Sequence, residues 1–122
     1  LGYAPLDMGT NSTDSVDYPD FAHPLAEKVE HGEVQRGVLL CGTGLGMSYA
    51  ANRHHGVRAA VAWSPEVAQL SREHNDANVL VLPARCISED ESVEILKRWL
   101  STPFAGGRHS RRVAKIEEGE GT

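Results

Sequence analysis

Three short apolar runs, each leading into helix-start chemistry, constrain this chain more than any other feature of its sequence. They are Val38-Leu39-Leu40-Cys41, residues 57–63 (Val-Arg-Ala-Ala-Val-Ala-Trp) and Val79-Leu80-Val81-Leu82. Each is too short for an independent helix and is bounded by Gly, Asn or Pro, which predicts buried strands. The first is followed by a small-residue helix over 47–53 that stops near Gly56. After the second, Ser64 supplies a cap and Pro65 a first helical residue, with the helix running to about His74. After the third, Ser88-Glu89-Asp90-Glu91 opens a helix whose apolar face is Val93, Leu96, Trp99 and Leu100. Upstream, Phe21, Leu25 and Val29 recur at helical spacing between about Asp17 and Glu30, with Pro19 in the first turn and His31-Gly32 at the end. Pro24 predicts a kink or a late start there. Residues 4–9 read as a weak strand, 10–15 as a polar loop, Arg108 to Ile116 as a last short helix, and 117–122 as a frayed tail. Strands alternating with helices need crossover connections, so the expected fold is a single α/β domain with a parallel sheet covered on both faces.

The length of 122 residues suits one hydrophobic core. A net charge of −5 argues against nucleic acid as a partner, because phosphate counterions are displaced by positive potential. No apolar run approaches the length of a bilayer span, and residues 1–5 lack the basic and apolar stretches of a secretory signal. Cys41 and Cys86 lie on separate segments without CxxC spacing, which speaks against a disulfide scaffold or a zinc site. The expected location is the cytoplasm.

Three segments carry chemistry. Cys41-Gly42-Thr43-Gly44-Leu45-Gly46-Met47-Ser48 joins a predicted strand to a helix, where open parallel sheets bind ligands. Its glycines let backbone approach a ligand, and free amides at a helix start stabilise negative charge. The spacing is neither that of a P-loop nor the dinucleotide GxGxxG, and a tight turn beside some anion would use the same residues. A thiol beside a helix amino end ionises more readily than a free one, and could remove a carbon-bound proton while nearby amides hold an enediolate. A buried inert thiol is the other reading, and it is the one kept for Cys86. The second segment is Arg72-Glu73-His74-Asn75-Asp76 at a helix end, where His74 could exchange protons with a sugar ring oxygen or simply cap the helix. The third is Gly106-Gly107-Arg108-His109-Ser110-Arg111-Arg112. Arg108 and Arg112 are four apart and share a helix face, as a phosphate grip would, or as a solvated basic face would.

These segments, with Ser15-Val16-Asp17-Tyr18-Pro19-Asp20, match in order and spacing those of ribose-5-phosphate isomerase type B and its relatives acting on galactose 6-phosphate and allose 6-phosphate. The chain resembles that family from Gly9 to Ile116. The resemblance implies a Rossmann-like three-layer α/β/α sandwich on a five-stranded parallel sheet, working as a homodimer or homotetramer. It implies that Cys41 moves the proton between the first two sugar carbons, with Thr43 beside it. Gly42, Gly44, Leu45 and Gly46 would bind substrate, His74 would open the ring, and Asn75 and Arg85 would contact substrate. Arg108 and Arg112 would grip the phosphate, with Tyr18 lining the pocket. Sites combining residues of two subunits are implied, with His74 serving a neighbour's Cys41, and neither a metal nor an organic cofactor is implied.

The resemblance also implies an earlier strand ending in an Asp-His pair that assists ring opening and contacts substrate. Leu1 falls after that strand and its helix, so the sequence is expected to be part of a longer protein, and on its own to fold and open rings poorly. Within the class, a six-carbon sugar phosphate is the alternative substrate. Outside it stand a non-catalytic phosphate- or nucleotide-binding module, a redox-sensing thiol protein and a degenerate subunit needing a partner chain.

Overall fold

In a computed structural model of the chain, the described residues are Pro5, Leu6 and 17–118. They form helix α1 (Pro19–Glu30), strand β1 (Gly37–Cys41), α2 (Leu45–Ala51), β2 (Ala59–Val61), α3 (Pro65–Asn75), β3 (Val79–Pro83), α4 (Glu89–Ser101) and α5 (Arg108–Glu118). Among the described residues there are three strands, all parallel, in the order β1-β3-β2. The weak strand expected over residues 4–9 and the loop over 10–15 lie almost wholly outside the described residues. No helix among the described residues is long and apolar enough to cross a membrane.

The sheet separates two apolar layers because successive side chains of a strand point to opposite faces. Val79 and Val81 of β3, with Leu39 of β1, pack under α1 and α2 against Ala22, Ala26, Met47, Ala50 and Ala51. Leu80 and Leu82 pack on the other face against Ala68, Ile95 and Trp99 of α3 and α4. Every residue of β3 is buried, as a central parallel strand requires. This is the expected three-layer sandwich.

Several boundaries move. The helix α1 starts on time and runs through Pro24, with Ala22 and Ala26 rather than Phe21 and Leu25 fully buried. Alanines there let α1 lie close to the equally small residues of α2. On α4, Ile95 joins Trp99 in the core while Val93 is exposed, and the helix opens where expected, with Ser88 and Glu91 forming a capping box. The strand β2 is shorter than the apolar run, because Asn78 Oδ1 takes the Arg58 amide at 2.8 Å and Trp63 projects into solvent. At the carboxyl end, Glu117 and Glu118 are helical rather than frayed.

Candidate active site

The polypeptide leaves β1 at half-buried Cys41 and turns through Gly42, Thr43 and Gly44 into α2. The helix begins two residues earlier than its composition suggests, at Leu45, with Gly44 as its cap at φ +85°. That left-handed conformation suits glycine, and a side chain there would press on Val61 and Val81. Thr43 Oγ1 accepts from the Leu45 amide at 3.3 Å, folding the exposed threonine over the helix start.

Two neighbours hold this turn. Ala84 N donates to Cys41 O at 2.7 Å and Arg85 N to Gly42 O at 2.9 Å, so the segment after β3 continues the ladder past the strands. The Arg85 side chain lies along Gly42, where an added Cβ would sit 3.1 Å from its Cδ and Nε. Tyr18, at the entry to α1, lays its ring on Gly46 so closely that an added Cβ would sit 2.6 Å from Cζ. Tyr18, Cys41, Gly42, Thr43, Gly44, Leu45, Gly46 and Arg85 therefore share the pole at the carboxyl ends of the strands.

His74, Asn75, Arg108 and Arg112 do not. Helix α3 runs back from that pole and ends at Asn75, before the amino end of β3. Since Cys41 is in register with Pro83 and β3 begins at Val79, the length of β3 separates the two groups, about 13 Å at 3.3 Å per residue. At this amino pole the His74 ring stacks on His109, centroids 4.3 Å apart and planes 16° from parallel. Ala105 N donates to Glu73 O at 3.1 Å, tying the start of α5 to the end of α3. Exposed Arg108 and Arg112 flank the stack on the first turns of α5. Partial desolvation, then the positive charges of His74, Arg108 and Arg112, hold the His109 pKa below the ordinary histidine value, with Glu73 opposing. The chain thus carries a thiol and a glycine turn at one pole, and imidazoles and guanidiniums at the other.

The motif carrying His109 offers no reason from sequence alone to single that residue out, and only its stacking does so. Arg58 and Glu117, which help tie the amino pole together, are also invisible to motif reading, one being a charge at a strand start and the other lying in an acidic tail. Among the described residues, no group of His, Cys, Asp or Glu is arranged to hold a metal ion.

A glycine turn beyond the carboxyl ends of a parallel sheet is where α/β proteins bind small ligands, and the exposed arginines at the opposite pole suit an anionic one. The chain is a member of the ribose/galactose isomerase family, whose sequence pattern it matches over residues 1–116. It is 45% identical over 115 residues to ribose-5-phosphate isomerase B of Escherichia coli, covering 94% of this chain and 77% of that protein. A solved ribose-5-phosphate isomerase B of Clostridium thermocellum superposes with a TM-score of 0.96 at 51% identity, covering 98% of this chain and 81% of the other. The Mycoplasma genitalium ribose-5-phosphate isomerase B, solved with bound ribulose-5-phosphate, superposes with a TM-score of 0.91 at 43% identity, covering 95% and 78%. The chain is thus of an enzyme family that isomerises sugar phosphates between aldose and ketose.

Proposed function

We propose that this protein interconverts ribose 5-phosphate and ribulose 5-phosphate through an enediolate, with Cys41 as the base. The observation that carries the reading is the seat of Cys41. The thiol is half-buried at the first position of a turn whose far end is a helix start, a turn with the Arg85 side chain against Gly42 and the Tyr18 ring against Gly46. A base that moves a proton between adjacent carbons needs a fixed position and partial shelter from water, and both are supplied. With the Leu45 amide taken by Thr43 Oγ1, the amides of Gly46 and Met47 in the first turn of α2 are the ones left for the oxyanion that forms as the proton leaves. The ribulose-5-phosphate found on the Mycoplasma genitalium relative supports a pentose substrate.

His74 acts as the acid for ring opening, Asn75 contacts the sugar, and Arg108 with Arg112 hold the phosphate. Because these lie a strand length from Cys41, a working site pairs the carboxyl pole of one copy with the amino pole of another. The protein is therefore a homodimer, or a homotetramer built from such pairs, in the cytoplasm. The test is turnover of ribose 5-phosphate in deuterated water, read beside allose 6-phosphate and galactose 6-phosphate. The expected result is the highest kcat/KM on ribose 5-phosphate, with solvent deuterium appearing at C1 of the ribulose 5-phosphate, the carbon that receives the proton from the enediolate. A higher kcat/KM on either six-carbon substrate would reassign the substrate, and no isomerisation of any would end the reading.

A further inference from the structure

Helix α5 has no fully buried residue. Its contact stripe is His109, Val113 and Glu117, each half-buried and four apart, hence one above another on a single face. An apolar core does not fix such a helix; its ends do. The near end is held by the His74–His109 stack and the Ala105–Glu73 hydrogen bond. Among the described residues, the far end is held through the Glu117 carboxylate. Glu117 Oε1 accepts from Arg58 Nη1 at 2.9 Å and Oε2 from the Gly56 amide at 3.0 Å, with His55 Nδ1 at 3.7 Å.

The guanidinium on the other side of that contact reaches the end of α3. Arg58 Nε donates to Asn75 O at 3.2 Å and to Asp76 O at 3.1 Å, and Nη2 approaches Asp76 Oδ2 at 3.5 Å. Asp76 occupies a left-handed conformation, φ +49°, the one such non-glycine among the described residues. Its other carboxylate oxygen takes Arg72 Nη1 at 2.8 Å. A strained residue directly after His74-Asn75, held by two arginines, is a backbone position that the surroundings over-determine.

We propose that Arg58 is a positioning residue for the amino-pole half of the site, setting α5 and its Arg108 and Arg112 relative to His74 and Asn75. It touches no substrate. Its planar fork serves the end of α3 through one edge and Glu117 through another, which an ammonium cannot do from one point. Without the far tie, α5 pivots on its near end, and Arg112 moves further from its bound position than Arg108. The inference rests on the phosphate grip assigned above.

The test uses Glu117→Ala, Glu117→Gln and Arg58→Lys in the whole protein. It reads KM and kcat for ribose 5-phosphate, the affinity for inorganic phosphate, and the ring-proton shifts of His74 and His109. Glu117→Ala is expected to raise KM and weaken phosphate affinity about fivefold or more while kcat stays within about twofold. Glu117→Gln should recover part of the loss, Arg58→Lys should reproduce it, and in the two Glu117 variants the histidine shifts should stay put because the near end is held separately. Unchanged KM and phosphate affinity in all three variants would overturn the proposal, as would a kcat loss matching the KM rise or a collapse of the histidine stack. Should the wild type fail to turn over ribose 5-phosphate, the substrate reading falls, and phosphate affinity across the same variants still decides the role of Arg58.

Discussion

Gly44 is the position where the turn that carries Cys41 meets the core, and Gly44→Ala measures how firmly that turn is seated. Two penalties add. The backbone at φ +85° is left-handed, costing an L-residue about 1–2 kcal/mol. The new methyl would lie 3.0 Å from Val61 Cγ1 and 3.3 Å from Val81 Cγ1. Val81 belongs to the fully buried central strand and cannot turn aside, so overpacking adds about 1–3 kcal/mol. The expected destabilisation is about 2–5 kcal/mol, a large share of a domain's total. Gly32→Ala is the control: its φ is +75° with nothing within 4 Å of the added carbon, so it carries the backbone cost alone. Urea unfolding at matched protein concentration compares them, and the midpoint of Gly44→Ala should fall below that of the control by about 1 M for a slope of 1–3 kcal/mol per M. Equal midpoints would refute the reasoning, because they would mean that the valine wall yields and the turn is not locked against the sheet.

Cys41→Ala should lower kcat for ribose 5-phosphate by about 100-fold or more while binding of the substrate largely survives, checked by initial rates and a ligand titration. Arg112→Ala should act mainly on KM, because a contact remote from the reacting carbons supplies binding energy; an unchanged KM removes that assignment. His109 should titrate below the ordinary value of about 6.5 in a proton NMR titration of the free protein, and its midpoint should rise when phosphate binds beside it. The sign for stability follows: as pH falls, the unfolded chain takes this proton first, so the His109 contribution is lost towards acid.

The layered fold was legible because its signals are local. Val38 with Leu39 and Val79 to Leu82 alternate between two apolar layers, although Leu40 is exposed, and Ser64-Pro65 and Ser88 announce helix starts through their own chemistry. Boundaries were less legible where tertiary partners decide them. Asn78 takes the Arg58 amide out of the ladder and shortens β2, and Gly44 starts α2 early because the turn must clear Val61 and Val81. The glycine turn and the basic helix were legible as chemistry, since residue types and spacing expose them. That they stand at opposite poles follows only from where α3 ends relative to β3, which no motif encodes. Arg58 and Glu117 were unreadable for the same reason, being 59 residues apart in sequence and joined only in space.

The two poles can be made to report on each other. Inactive Cys41→Ala and inactive His74→Ala proteins, co-expressed or mixed under subunit exchange, form hybrids in which one of two shared sites is intact. In a two-fold symmetric pair with random assortment, about a quarter of wild-type turnover should return. If the mixture is no more active than its components, Cys41 and His74 do not meet across two copies, and the site described here is wrong.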